Sequence, residues 1–179
     1  GRRRGRDFRT LLRKQDPIVT TVDVNALCRN TAKLVEHEAK SRSAHLLLQL
    51  DPHIPAVRGD PVQLQQALIN LTLNALDAVS ALPSNREAAI RTTTNNGDVE
   101  VHVSDTGPRL SAETHQHLFE PFYSTKPHGL GMGLTIVRSI AERHDGNLRA
   151  ENRSVGGAVF TVTLPAGQPT STNDALVSP

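Results

Sequence analysis

Residues 60–82 carry the sequence DPVQLQQALINLTLNALDAVSAL, and this stretch predicts one long helix around which the fold is built. Asp60 is suited to the N-cap, and Pro61 is suited to the first helical position, where no backbone N–H is required. Pro83 ends the helix. Helical periodicity gathers the large apolar side chains into one stripe, which we expect to be buried. The stripe consists of Leu64, Leu68, Leu71, Ala75 and Ala78.

A second face of the same helix carries Asn70, Asn74 and Asp77. Positions i, i+4 and i+7 fall within a sector of about 60° when each residue turns the helix by about 100°. Amide and carboxylate oxygens are ligands that suit a hard cation such as Mg²⁺. An ordinary solvent-facing helix side is the alternative, and this cluster taken alone favours it.

The sequence around the long helix predicts an α+β fold, an α/β sandwich. Its sheet is expected to be mixed, mainly antiparallel and covered by helices on one face. Asn-Gly at 96–97, between two runs rich in β-formers, is a strong hairpin pattern. The expected elements are a strand-then-helix segment over 20–40, a buried strand over 45–51, strands over 88–94 and 99–104, helices over 111–118 and 131–144 with Gly146 as C-cap, and a hairpin over 147–152 and 158–164.

The turn Asp105-Thr106-Gly107 follows the second strand of the predicted hairpin. A carboxylate at a strand end can accept a hydrogen bond from an exocyclic amine, and a glycine two residues later lets backbone approach a flat ring. Such a turn is also a common surface feature, so alone it is a weak pattern.

Residues 119–134 combine aromatic side chains, a lysine and alternating glycines. The segment Phe119-Glu120-Pro121-Phe122-Tyr123-Ser124-Thr125-Lys126 holds three of the chain's five aromatics, which favours a lid anchor over core packing. Lys126 offers a point charge to a phosphate. The stretch Gly129-Leu130-Gly131-Met132-Gly133-Leu134 opens a helix whose N–H groups favour an anion and whose glycines suit a flexible lid. With no G-x-x-x-x-G-K-[ST] motif to form a P-loop, the four clusters together indicate a different kind of nucleotide site.

Length and composition restrict the class of protein. The 179 residues suit one domain, and no apolar run has the roughly 18 residues of a membrane span. Because Cys28 is the single cysteine, an internal disulfide is excluded. We expect Cys28 to be a small buried side chain, and we expect the chain to lie in the reducing cytoplasm. Residues 1–14 hold seven Lys or Arg against Asp7 within a net charge of +2, which favours a solvated helix end over nucleic acid or a membrane surface. Five aromatics are too few for single-strand nucleic-acid stacking, so we expect no nucleic-acid partner.

Five stretches resemble, in order, the N, G1, F, G2 and last-strand boxes of sensor histidine kinase catalytic domains. That family shares its ATP-binding fold with gyrase, heat-shock-90 and mismatch-repair ATPases. The resemblance covers about residues 22–165, and the combination is far more specific than any single box. The stretches are QLQQALINLTLNALDAV (63–79), SDTG (104–107), FEPFYSTK (119–126), GLGMGLTIVRSIAERHDG (129–146) and GGAVFTVTLP (156–165).

The resemblance implies a role for each matching residue toward ATP and Mg²⁺. Asn70 and Asn74 would hold Mg²⁺ and the phosphates with Asp77 nearby, and together with Lys126 they would serve catalysis. Asp105 would accept the adenine amine and Gly107 would approach the ring. Phe119 and Phe122 would anchor the lid, and Lys126 with Gly129, Gly131 and Gly133 would embrace the triphosphate. Leu130, Met132 and Leu134 of the same stretch would also belong to the nucleotide site.

Three departures from the family pattern stand out. Arg109 replaces the usual second glycine of the G1 box, where it would crowd the base or contact ribose or phosphate. Ala158 replaces a common Thr near the adenine end. The phosphoacceptor histidine is missing, since His37 falls inside the catalytic domain and lacks the acceptor box's downstream proline.

The resemblance implies three segments: the end of the dimerisation and phosphoacceptor hairpin over 1–16, the ATP-binding catalytic domain over 17–165, and a disordered tail over 166–179. The chain is thus expected to be part of a longer protein that forms a homodimer, with or without an anchor in the inner membrane, while the chain by itself is expected to be a monomer. Its partners would be the parent's phosphoacceptor hairpin and a response regulator receiver domain.

Three functions remain open on the sequence. The first is a histidine kinase domain that passes the γ-phosphoryl group of ATP to a histidine outside this chain. The second is a catalytically weakened nucleotide-binding regulator. The third is an ATP-hydrolysing machine, which Asn70 argues against, because the related ATPases have a general-base Glu there and an amide cannot take a proton from water.

Overall fold

The structure is a computed structural model, and it describes residues 18–121 and 133–167. The strands there are β1 (Thr20–Val22), β2 (His45–Gln49), β3 (Val57–Gly59), β4 (Glu87–Asn95), β5 (Asp98–Asp105), β6 (Asn147–Asn152) and β7 (Ala158–Leu164). The helices are α1 (Val24–Leu34), α2 (Glu36–Ser41), α3 (Pro61–Val79), α4 (Ala112–His117) and α5 (Gly133–Arg143).

The strands form two sheets. The main sheet has five strands in the order β2-β4-β5-β7-β6, and β1 and β3 form a separate antiparallel pair. Within the main sheet only the β2–β4 pair is parallel, while the other three pairs are antiparallel. This mixed, mainly antiparallel sheet confirms the predicted α+β fold class.

The core lies between this sheet and α1, α3 and α5. Along β5, Val99, Val101 and Val103 are at most 1% exposed, so alternate residues of the strand face the helices. From α3, Leu71 and Leu76 are 1% and 0% exposed. Cys28 is fully buried as expected, and burial raises the pKa of its thiol to about 12. A thiol in this environment behaves as a small apolar side chain.

The two ends of α3 illustrate how local sequence sets an element. The carboxylate of Asp60 accepts hydrogen bonds from the N–H groups of Val62 and Gln63 at 2.9 and 3.3 Å, which confirms the predicted N-cap. At the other end the helix stops at Val79, three residues before the predicted Leu82. The predicted apolar stripe is buried except for Ala78, which is half-buried.

The predicted β4–β5 hairpin is confirmed. Asn95 pairs with Asp98, so only two residues form the turn. Asn96 and Gly97 both have positive φ, at 52° and 84°. This is the backbone conformation that matches the twist of the flanking strands and that Asn-Gly adopts at low cost.

One strand prediction was wrong in its burial, and one strand was missed. The strand at residues 45–51 was expected to be buried, but β2 lies at the edge of the sheet, and Leu47 and Leu48 are 40% and 38% exposed. Strand β3 was not predicted, because its three residues carry no periodicity and are fixed by backbone pairing with distant parts of the chain, chiefly β1. Ala166 also bridges to Val57, so backbone pairing continues past the boundary expected at residue 165.

The end of α5 differs in detail from the predicted glycine cap. The residue in the left-handed region is Asp145, with φ of 58°, and its N–H donates to the carbonyl of Glu142. The N–H of Gly146 donates to the carbonyl of Ala141, which completes a Schellman motif with Gly146 one position later than expected. Gly146 is required by space, because a Cβ there would lie 1.9 Å from the carbonyl oxygen of Thr163.

The expectations for residues 1–17, 122–132 and 168–179 lie outside the described residues. They include the helix end over 1–15, most of the lid and the remainder of the tail. In the ranges that are described, no helix is long and apolar enough to cross a membrane.

Candidate functional site

The polar face of α3 is placed by the burial of its apolar faces. Leu64, Leu68 and Leu71 are at most 4% exposed, and they fix the rotation of the helix about its axis. Asn70, Asn74 and Asp77 are all half-buried. They therefore line a partly sheltered surface of the helix, where a ligand could reach all three side chains.

Asp77 is held by a residue that the sequence did not point to. Its Oδ1 accepts hydrogen bonds from Nε and NH2 of Arg42, at 3.1 and 2.7 Å. NH1 of Arg42 contacts a carboxylate oxygen of Glu38 at 2.5 Å. The hydrogen bonds that Arg42 donates to Glu38 and to Asp77 raise the pKa of its guanidinium further above its usual range. Arg42 lies 35 residues before Asp77 in the chain, and no local pattern links the two.

Asp105 is a buried carboxylate at the end of β5. It is 2% exposed, and its Oδ1 accepts a hydrogen bond from the N–H of Gly107 at 2.8 Å. Burial raises the pKa of Asp105, while the N–H groups of Gly107 and Ala158 and the charge of Arg153 oppose the rise. A deeply buried carboxylate is costly to the fold, and carboxylates with raised pKa values cluster at functional sites.

The Asp105 turn packs directly on α3. A Cβ added to Gly107 would lie 2.7 Å from the carbonyl oxygen of Ala78, so only glycine allows this approach. Thr106 fixes the turn from the other side, because its hydroxyl contacts the carbonyl of Asn85 at 2.6 Å and accepts from the N–H of Glu87 at 3.0 Å. The structure therefore brings Asp105 and Gly107 against the helix that carries Asp77.

Two arginines, Arg153 and Arg109, border the Asp105 turn, and the sequence did not predict that they contact each other. NH1 of Arg153 donates to the carbonyl of Asp105 at 2.9 Å. NH2 of Arg109 donates to the carbonyl of Arg153 at 3.0 Å. Arg109, which replaces the usual second glycine of the G1 box, is thus tied to the β6–β7 turn. Ala158, the other departure near this end, is 2% exposed and takes part through its backbone.

Phe119 is attached to α5. Its ring lies 5.8 Å from the guanidinium carbon of Arg138, and its carbonyl is 3.4 Å from the hydroxyl of Thr135. Leu134 packs against the core at the start of the same helix. Gly133 differs from Gly107, since a Cβ there would meet nothing within 4 Å. The remaining predicted residues lie outside the described ranges: Phe122, Lys126, Gly129, Leu130, Gly131 and Met132.

The donor set on α3 is compatible with a magnesium ion. Two amides and one carboxylate on one helix face supply only oxygen ligands, which Mg²⁺ prefers, together with water and substrate phosphates. Within residues 18–121 and 133–167, no group of three His, Cys, Asp or Glu side chains could hold a metal. The pattern therefore fits an ion shared with a phosphate better than a site built from protein carboxylates alone.

Known proteins resemble this chain over most of its length. The family described as "Histidine kinase-, DNA gyrase B-, and HSP90-like ATPase" matches residues 59–168. The sensor histidine kinase TmoS of Ectopseudomonas mendocina is 37% identical over 163 residues, which are 89% of this chain and 17% of that protein. The chain thus spans a small part of this curated relative.

Solved structures share the fold. The catalytic domain of histidine kinase ThkA superposes with a TM-score of 0.74 at 31% identity, over 83% of this chain and 96% of that one. Full-length ShkA in complex with AMPPNP gives a TM-score of 0.74 at 25% identity, over 84% of this chain and 31% of that one. ThkA in complex with the response regulator protein TrrA gives 0.70 at 29% identity, over 82% and 41%.

Proposed function

Because the chain belongs to the family of histidine kinase-, DNA gyrase B- and HSP90-like ATPases, we propose that it binds ATP with Mg²⁺ and phosphorylates a histidine. The observation that carries the proposal is Asp105, a buried carboxylate held by Gly107 in a turn packed on α3. The ShkA neighbour, which was solved with the ATP analogue AMPPNP, supports a nucleotide as ligand.

In this proposal Asp105 accepts a hydrogen bond from the adenine amine. Gly107 N–H fixes the carboxylate from one side, so the carboxylate is already oriented before the nucleotide binds. Gly107 itself, lying against Ala78, leaves room for the ring. Thr106 and Arg153 hold the turn in place through the backbone carbonyls that they contact.

Asn70 and Asn74 would face the triphosphate with Asp77 beside them. A bound Mg²⁺ would neutralise charge on the phosphates. During transfer the bond from the γ-phosphorus to the bridging oxygen breaks, a bond to an imidazole nitrogen forms, and ADP leaves with the bonding electron pair. Asn70 cannot deprotonate water, which favours transfer to a nitrogen that attacks through its own lone pair. Phe119 and Phe122 would anchor the lid, and Lys126 with the glycines at 129, 131 and 133 would embrace the triphosphate.

The phosphoacceptor histidine would lie on a helical hairpin of the parent protein, of which residues 1–16 would be the end. Residues 17–165 would be the cytoplasmic catalytic domain and residues 166–179 a tail. His37 is exposed on α2, but it lies within the catalytic domain, so it is not the proposed phosphoacceptor. The ThkA–TrrA neighbour supports a response regulator as the next acceptor. The parent would then act in two-component signal transduction.

Replacing Asp105 with Asn tests the nucleotide site. We expect ATP affinity, measured by calorimetry with Mg²⁺, to fall at least about 10-fold, since one charge-assisted hydrogen bond is lost. Because the folded-state pKa of Asp105 is raised, ionisation costs stability at neutral pH, and that cost disappears as pH falls through the folded pKa. The unliganded Asp105→Asn protein should therefore melt at the same temperature as the unmodified chain or higher.

Asp98→Asn is the matched control, because Asp98 lies at the opposite end of the same strand, in the hairpin. It should bind ATP as the unmodified chain does. Unchanged ATP affinity in Asp105→Asn would contradict the site assignment. A chain that binds ATP but transfers no acid-labile phosphate to the parent's acceptor hairpin would instead be a nucleotide-binding regulator.

A further inference from the structure

Arg42 connects α2 to the polar face of α3. Two of its nitrogens, Nε and NH2, end on the same oxygen, Oδ1 of Asp77. The third, NH1, is bound by Glu38 through both a carboxylate oxygen and the main-chain carbonyl. The side chain of Arg42 is 23% exposed and that of Asp77 is 36% exposed, so the pair is partly sheltered from water. This geometry fixes the direction in which the Asp77 carboxylate points.

The main chain of Arg42 is also fixed. Its carbonyl accepts a hydrogen bond from NH1 of Arg86 at 2.8 Å, and Nε of Arg86 donates to the carbonyl of Leu82 at 2.6 Å. Leu82 follows the end of α3, and Arg86 precedes β4. Arg42 is therefore positioned relative to α3 through its guanidinium, which binds Asp77, and through its main-chain carbonyl, which binds Arg86.

A surface ion pair of this exposure contributes little to folding. Its place in the molecule suggests another use, because Asp77 lies on the same α3 face as Asn70 and Asn74. Groups that hydrogen-bond a metal-binding carboxylate orient it and tune its affinity, and removing them typically costs 10- to 100-fold in metal affinity. A lysine would supply the charge but not the planar fork that directs two N–H groups at one oxygen.

We propose that Arg42 is a positioning residue of the nucleotide site, which orients Asp77 toward the magnesium ion that accompanies ATP. This inference rests on the proposed function. The proposal adds Arg42, the residue that caps α2, to the polar face of α3. It also gives Asp77 a part in the effect of Mg²⁺ on ATP affinity. Arg42 itself touches Asp77 and Glu38 and acts only through the former.

The experiment compares Arg42→Gln with Lys40→Gln. Both remove one positive charge near the C-terminal end of α2, which Arg42 caps, but Lys40 pairs with Glu36 on the solvent side, where the two side chains are 74% and 64% exposed. For each protein, ATP affinity is measured by calorimetry in EDTA and in excess Mg²⁺, and the ratio of the two dissociation constants gives the gain due to Mg²⁺. We expect this ratio to fall about 10-fold in Arg42→Gln and to stay unchanged in Lys40→Gln.

A merely structural role would weaken ATP binding equally with and without Mg²⁺ and leave the ratio unchanged, which would overturn the inference. In the Asp77→Asn background, Arg42→Gln should produce no further change in the ratio, and an undiminished effect there would also overturn it. Arg42→Lys provides a second variant in case Arg42→Gln is unfolded at the temperature of the measurement. The ratio of the ATP dissociation constants without and with Mg²⁺ should be reduced in Arg42→Lys as well. Absence of ATP binding by the unmodified chain would instead refute the proposed function.

Discussion

Asp105 shows how a single buried residue can cost the fold stability. Its carboxylate is buried, and burial raises its pKa against the opposing effect of Gly107 and Ala158 N–H groups. The sequence could identify Asp105 and Gly107 because both lie in one turn after a strand. It could not identify Arg153, which reaches the carbonyl of Asp105 from a turn 48 residues later. Contacts of that kind depend on how strands pair and leave no local pattern.

Gly107→Ala should separate the Asp105 turn from α3. The added Cβ would lie 2.7 Å from the carbonyl oxygen of Ala78, and that oxygen belongs to a packed helix that cannot move easily. We expect the free energy of unfolding to fall by about 1–3 kcal/mol, the usual cost of overpacking, together with weaker ATP binding. Urea denaturation measures the first effect and calorimetry the second.

Gly133→Ala is the stability control for this prediction, since a Cβ there meets nothing within 4 Å. It should leave the free energy of unfolding unchanged or raise it by up to about 1 kcal/mol through helix propensity. Equal stability of Gly107→Ala and the unmodified chain would mean that the turn can move away from Ala78 at no cost.

Among the elements, those with strong local patterns were predicted and those defined by pairing were not. α3 has an N-cap, a proline at its first position and a long apolar stripe, and the β4–β5 hairpin has Asn-Gly. β3 has three residues and is defined by backbone pairing with β1 and with Ala166. The apolar letters of β2 indicate a strand, but its position at the sheet edge is decided by strand order.

Asp60→Ala tests the N-cap of α3. Two N–H groups at the helix start would lose their acceptor, so we expect the free energy of unfolding to fall by about 0.5–2 kcal/mol in urea denaturation. Ser111→Ala removes the corresponding cap of α4, a six-residue helix with no buried residue, and should cost less. A larger loss in Ser111→Ala would contradict the view that α3 organises the fold.

The molecule as a whole has helices on one face of its sheet and polar side chains on the other. On the second face the ring of His102 lies between the hydroxyls of Thr93 and Thr161, each at 2.9 Å. Arg149 also contacts the carboxylate of Glu100 there at 2.8 Å. Burial lowers the pKa of His102 from its usual 6.5, and the charges of Arg91 and Arg149 add to this effect, while Glu100 and Glu151 oppose it.

This lowered pKa predicts how stability varies with pH. The folded state disfavours protonated His102, so the unfolded chain binds more protons between the folded pKa and about 6.5. The stability associated with His102 is therefore present above pH 6.5 and is lost as pH falls through the folded pKa. In urea denaturation at pH 7.5 and 5.5, His102→Gln should lose less stability on acidification than the unmodified chain. Equal losses in the two proteins would contradict this assignment.

The parallel pairing of β2 with β4 bears on the order in which the chain folds. The antiparallel pairs β4–β5 and β6–β7 join strands that are neighbours in the chain, so each closes a small loop at low entropic cost. β2 and β4 are separated in the chain by β3 and α3, and β5 and β7 are separated by α4, α5 and β6, so both of these pairings close longer loops. During synthesis β2 therefore leaves the ribosome long before its partner. In refolding, pulse-labelled amides of the two hairpins should gain protection first, and the β2–β4 and β5–β7 pairings should complete the sheet afterwards.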